Sequence, residues 1–122
     1  EAAQLAGLQD WHEASPEDLT KRIQDTYQCG CVLLTLGAEG CAGRKGDQFW
    51  RIPKADVTAI DTIGAGDGFL SAFTVNLIWG KSEKEACRWA NEFAGYTTTR
   101  EGSIPSYPLI EEIEPYMKER LS

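Results

Sequence analysis

Histidine is all but missing from this sequence. His12 stands alone, away from the one close cysteine pair, Cys29 and Cys31. A zinc site needs tighter ligand spacing or several histidines, so Cys29, Cys31, Cys41 and Cys87 read instead as buried, reduced, small apolar side chains. Clustered positive charge is missing too: no run of Lys or Arg exceeds two residues, and 12 basic against 19 acidic side chains leave a formal charge of −7. That balance argues against nucleic acid or an anionic membrane as a partner. No apolar stretch is long enough to span a bilayer, and no leader-like order of basic, apolar and small residues opens the sequence, so a cytoplasmic location is the expectation. Internal repeats, low-complexity tracts and linkers are also absent.

What is present follows α/β grammar. The 122 residues, 42% apolar and 25% charged, suffice for one modest core. Residues 1–7 look helical from the start. Ser15-Pro16-Glu17-Asp18 begins a helix, with a hydroxyl at the cap, Pro at the first helical position and acids in the first turn; Leu19, Ile23 and Tyr27 form its apolar stripe. Residues 31–36 are an apolar run closed by Gly37, which predicts a strand buried on both faces, as in a parallel sheet. Lys45-Gly46-Asp47 joins two short strands, 41–44 and 48–52, as a β-hairpin in which Phe49 and Trp50 pack. Residues 57–60 predict a second buried strand. Ser82-Glu83-Lys84-Glu85 is a capping box for a helix over 83–99 that buries Ala86, Cys87, Ala90, Phe93, Ala94 and Thr97. Pro108 begins a last helix, which Pro115 should kink or end. Gly80-Lys81-Ser82 mimics the end of a P-loop, but Val75 stands where its glycine is needed and helix precedes it, so that reading is rejected.

The most informative stretch is Asp61-Thr62-Ile63-Gly64-Ala65-Gly66-Asp67-Gly68-Phe69. Gly64 and Gly66 can take backbone angles closed to other residues, and they leave the peptide N–H groups open to an anion. Phe69, Leu70, Ala72, Phe73, Leu77 and Ile78 follow at roughly helical spacing. The glycines therefore fall at a helix N-terminus, where unpaired amides and the dipole favour negative charge. A carboxylate at Asp67 repels an anion there unless it has a task, and the natural task is taking a proton from a hydroxyl about to be phosphorylated. The plainer alternative is a Gly-rich turn with Asp67 as the helix cap.

This stretch resembles the D-T-x-G-A-G-D signature of the ribokinase-like (PfkB) carbohydrate kinase family, and Thr35-Leu36-Gly37-Ala38-Glu39-Gly40 resembles that family's T-L-G-x-x-G segment. The resemblance implies an α/β, ribokinase-like fold, with residues 1–122 as its C-terminal part: a partial sheet with flanking helices and a β-hairpin, lacking the N-terminal substrate-binding and lid portion. It implies an ATP-dependent phosphotransferase acting on a hydroxyl of a sugar or related small molecule. Asp67 would be the catalytic base and the amides of Gly64, Ala65 and Gly66 the anion hole. Gly68 departs from the small hydroxyl or Ala residue common at that place.

By the same resemblance Thr35, Gly37, Gly40 and Asn91 would face the nucleotide, although Asn91 reads equally as a satisfied helix asparagine. Glu1 falls where the family's N-x-x-E glutamate helps hold Mg²⁺ through water; an ordinary surface glutamate is the alternative. Asp61, the Ile63 carbonyl, Thr97, Arg100, Gly102 and Ser106 match positions around K⁺ in cation-dependent members, mostly through backbone oxygen, and oxygen-only ligation suits a hard cation. An ordinary Gly/Pro turn over 100–106 fits as well. ATP, Mg²⁺ and, in some members, K⁺ are thus the implied cofactors, with a sugar-like small molecule as the partner and a homodimer as an option for the full-length protein. Family members are more than twice this long, so these residues alone are expected to be inactive. A reading from another class also fits: a non-catalytic nucleotide-binding or assembly module that keeps the kinase fold.

Overall fold

The computed structural model describes residues 14–102 and 107–121. The helix expected over residues 1–7 lies outside them. The chain forms two compact units, with the division between Arg51 and Ile52.

The first unit is a helix and a three-stranded meander. Helix α1 (Pro16–Tyr27) begins as its sequence demands, the Ser15 hydroxyl accepting from the Asp18 amide at 3.2 Å. Leu19 and Ile23 are buried, but Tyr27, at the last helical position, is exposed. Strands β1 (Cys31–Thr35), β2 (Cys41–Lys45) and β3 (Gln48–Ile52) stand in the order β1-β2-β3. β1 pairs antiparallel with β2, Val32 opposite Arg44 and Leu34 opposite Ala42. The expectation of a parallel strand buried on both faces is therefore corrected: Val32 is its one buried residue. A tight reversal causes this, with the Leu36 amide donating to the Gly40 carbonyl at 2.9 Å, so the next strand returns beside the first. The hairpin between β2 and β3 forms as expected, on a Gly46-Asp47 turn. Gly43 lies under the Trp50 indole, and a Cβ there would strike the ring. Buried Arg44 joins sheet to helix, its Nε donating to Thr20 Oγ1 and its Nη2 to the Glu17 carbonyl, each at 3.3 Å.

The second unit is built on helices α2 (Ala65–Ile78), α3 (Glu83–Thr98) and α4 (Ile110–Leu121). α2 packs on α3, and α4 on α3. Phe69, Ala72, Phe73, Ala86, Cys87, Ala90, Ile113 and Met117 form the core, where the small Ala and Cys side chains let the helices approach closely. Ser82 caps α3 through the Glu85 amide at 3.3 Å. Fully buried Asn76 closes the end of α2: its Nδ2 donates to the Ala72 carbonyl and its Oδ1 accepts from Lys81 Nζ, both at 2.7 Å.

Three expectations fail in this unit for identifiable reasons. Residues 57–60 are not a strand. No other strand among the described residues of the unit offers them a ladder, and the Ile60 and Asp61 amides donate instead to the Thr98 carbonyl, at 2.7 and 3.0 Å. On α2, Leu70 and Ile78 are exposed, because the helix is apolar around much of its circumference and only the Phe69, Ala72, Phe73 and Asn76 side is covered. α4 starts at Ile110, not Pro108, with the Leu109 amide donating to Glu112 Oε2 at 3.0 Å, and it runs through Pro115 to Leu121. Pro115 and Glu111, whose carbonyl loses its helical donor, are both exposed, so water can serve that oxygen. Of the cysteines, Cys41 and Cys87 are buried, whereas Cys29 and Cys31 are half-buried; none is in a disulfide. No helix among the described residues is long and apolar enough to cross a membrane.

Candidate active site

Gly64 precedes α2 with φ 81° and ψ −2°, a left-handed conformation that a side chain would strain, and no side chain caps the helix. Its carbonyl accepts twice, from the Gly68 amide and from the Tyr107 hydroxyl, each at 2.9 Å. The Ala65 amide donates to the Thr62 carbonyl at 3.2 Å. Among the described residues, the amides of Gly64, Gly66 and Asp67 have no acceptor. Of the three amides expected to receive an anion, then, Ala65 is engaged in a turn while Gly64 and Gly66 stay open.

Asp67 is exposed in the first turn of α2, third in the helix, and Gly64 occupies the cap. Asp67 is therefore not the helix cap that the plainer alternative required. A carboxylate so placed sits well with the positive end of the helix dipole, and it remains available to a hydroxyl arriving from solvent.

Asp61 spans two loops. Its Oδ2 accepts from the Gly102 amide and its Oδ1 from the Ile63 amide, each at 2.9 Å. These two bonds, Gly102 first, hold its carboxyl below the usual carboxylate range, against a small opposing effect of desolvation. Asp61, Ile63 and Gly102 are thus brought together. The Thr97 hydroxyl is buried and donates to the Ala94 carbonyl at 2.7 Å, and the Thr97 carbonyl accepts from the Arg100 amide at 3.3 Å. The Arg100 guanidinium turns to the Tyr96 hydroxyl, 2.8 Å away. Ser106 and Glu1 lie outside the described residues. Among the described residues, no three His, Cys, Asp or Glu side chains converge on a metal position.

In the first unit, Thr35 is the exposed end of β1, and Gly37 and Gly40 take φ 57° and 99° around the short 3₁₀ turn Gly37–Glu39. Asn91 is buried, and its Nδ2 donates to the Pro53 carbonyl at 2.9 Å.

Sequence reasoning passed over Tyr107 and Thr98. Tyr107 follows the sequence Ser-Ile-Pro-Ser with no periodic signal to mark it; the departure at Gly68 was the available clue. A Cβ on Gly68 would lie 3.3 Å from Phe93 Cε1 and 3.5 Å from Tyr107 Cε1. Thr98 is the residue whose carbonyl meets the Ile60 and Asp61 amides.

A glycine-opened helix start with an exposed aspartate in its first turn is an arrangement whose bare amides and dipole can receive an anion. Comparison supplies the family: residues 1–110 match the pfkB family carbohydrate kinase pattern, and the chain belongs to that family. It is 38% identical to ribokinase of Arabidopsis thaliana over 98 residues, 75% of this chain and 25% of that protein. In structure it is similar to Arabidopsis thaliana ribokinase complexed with ribose and ATP, with a TM-score of 0.82 and 27% identity, covering 96% of this chain and 38% of that one. It is also similar to a double mutant of fructokinase from Vibrio cholerae O395 in a form with fructose, ADP and potassium ion bound, with a TM-score of 0.77 and 26% identity, covering 95% and 37%. The chain thus spans between 25% and 38% of the length of these relatives. The expected ribokinase-like fold is the fold observed, as a partial α/β structure with an antiparallel three-stranded sheet.

Proposed function

We propose that this chain is the nucleotide-binding, catalytic-base portion of an ATP-dependent kinase that phosphorylates a hydroxyl of a sugar or related small molecule. The observation that carries the reading is the open start of α2, with Asp67 exposed beside the unserved amides of Gly64 and Gly66. Asp67 takes the proton of the acceptor hydroxyl while its oxygen attacks the γ-phosphorus in line and the bond to ADP breaks. The Gly64 and Gly66 amides stabilise charge on the transferring group; losing one comparable donor costs roughly 100- to 1,000-fold in rate. Ala65 joins them only by giving up its bond to Thr62, so its share is smaller.

Mg²⁺, held by the substrate phosphates and through water by Glu1, would neutralise charge on the phosphates. Asp61 with the backbone oxygens of Ile63, Thr97, Arg100 and Gly102, and with Ser106, would hold K⁺, a reading supported by the potassium-bound fructokinase relative. Thr35, Gly37, Gly40 and Asn91 are assigned to the nucleotide on the family resemblance, and Asn91 also holds the Pro53 carbonyl through its Nδ2. Such an enzyme would work in the cytoplasm.

A second reading, a non-catalytic nucleotide-binding or assembly module, draws on the exposed apolar residues Leu70, Ile78 and Trp79. The deciding experiment offers a panel of sugars and related acceptors to the full-length protein with ATP and Mg²⁺, in K⁺ and in Na⁺. Phosphorylated product supports the kinase; ATP binding without transfer to any acceptor favours the module.

A further inference from the structure

We infer that Tyr107 is a positioning residue for phosphoryl transfer, fixing the turn from which α2 presents Asp67 and its neighbouring amides; the inference rests on the kinase reading above. Gly64 needs such a restraint. It is the most freely rotating residue type, it caps the helix with no side chain, and its carbonyl receives only one bond from α2 itself, the Gly68 amide at 2.9 Å. The second bond comes from outside that helix, from the Tyr107 hydroxyl at 2.9 Å.

The tyrosine ring is itself held. It lies against Phe93 with centroids 6.0 Å apart at 59°, and Phe93 stacks on Trp89 at 5.8 Å. Both partners belong to α3, so the restraint on the α2 entrance is anchored in the neighbouring helix. Gly68 makes room for it: a Cβ there would crowd the Phe93 ring at 3.3 Å and touch the Tyr107 ring at 3.5 Å. The glycine at 68 and the tyrosine at 107 are therefore two halves of one arrangement.

Donation by a phenol to the Gly64 carbonyl also polarises the Gly64–Ala65 peptide, strengthening the Ala65 bond to Thr62 and with it the shape of the turn. Tyr107 touches neither the acceptor nor the phosphates in this scheme; it acts through the backbone.

The test is Tyr107→Phe in the full-length protein, which keeps the ring and removes the hydroxyl. Amide exchange at Ala65 and Gly68 is expected to rise about tenfold, the scale of one lost neutral hydrogen bond. With any acceptor that the wild type phosphorylates, kcat should fall by about the same factor while the KM for ATP stays in place, with the unfolding midpoint lowered only by what one lost hydrogen bond costs. Gly68→Ser, which crowds the Phe93 ring that Tyr107 lies against, should give the same split between kcat and KM. Unchanged exchange, or faster exchange with unchanged kcat, would overturn the inference. A wild type that phosphorylates no acceptor defeats the kinase reading instead, and the exchange rates then decide by themselves whether Tyr107 holds the turn.

Discussion

Two helices of the same unit begin in opposite ways. α3 starts under a serine, the Ser82 hydroxyl taking the Glu85 amide, as Ser15 takes the Asp18 amide at the start of α1. α2 starts under Gly64, with no side-chain cap and with the Gly66 and Asp67 amides unserved among the described residues. A hydroxyl cap contributes about 1 kcal/mol, and α2 forgoes it. Where only the helix is at stake this chain uses serine; where the helix end is left bare, the groups that would satisfy it are those of an anion.

The contrast can be broken most decisively at Asp67. In the full-length protein, Asp67→Asn is expected to lower kcat by about 100- to 10,000-fold while leaving ATP affinity by calorimetry unchanged, and near-normal turnover would remove the acid from the mechanism. A site in the first unit gives the scale of purely structural damage: Gly43→Ala drives a methyl into the Trp50 indole and should cost about 1–3 kcal/mol in denaturant unfolding. At the bare helix start, Gly64→Ala forces a side chain into a left-handed backbone, for a loss of about 1–2 kcal/mol by the same measurement. At the capped one, Ser82→Ala should cost about 1 kcal/mol without touching kcat; a large kinetic effect there would erase the difference between the two ends.

The smallest effect is one of pH. Amide bonds from Gly102 and Ile63 depress the Asp61 pKa in the folded state, so its contribution to stability is full above the unfolded-state value and vanishes as pH falls through the lowered folded value. Asp61→Asn should therefore unfold at a lower temperature than wild type near neutrality, and the two midpoints should converge in acid. Parallel midpoints at every pH would show that the carboxylate's charge is not what stabilises the loop.

Local chemistry made much of this legible in the sequence. The caps at Ser15 and Ser82 and the Gly46 turn are satisfied by residues within a few positions, so reading them needs nothing from the rest of the fold. The Gly64 to Asp67 helix start was legible for another local reason, its own glycines, which leave the helix end bare. What was misread depends on distant partners. Residues 57–60 carry the composition of a strand, but composition does not reveal that the available acceptor is the Thr98 carbonyl. The apolar run at β1 likewise leaves its pairing open, and the Leu36–Gly40 reversal decides it. Pro115 is tolerated on an exposed turn, where water can serve the Glu111 carbonyl it orphans, a fact of exposure that its neighbours in sequence do not record. Tyr107 reaches back over more than forty positions, and no local pattern announces it.

The carbonyl of Thr98 has one more bearing on how the molecule behaves. Thr98 ends α3, takes the amides of Ile60 and Asp61, and Asp61 in turn clasps Gly102 just beyond that helix. The way into one helix is thereby buttoned to the way out of another. Whatever stiffens the exit of α3 also steadies the doorway through which α2 begins, and fraying on either side undoes both.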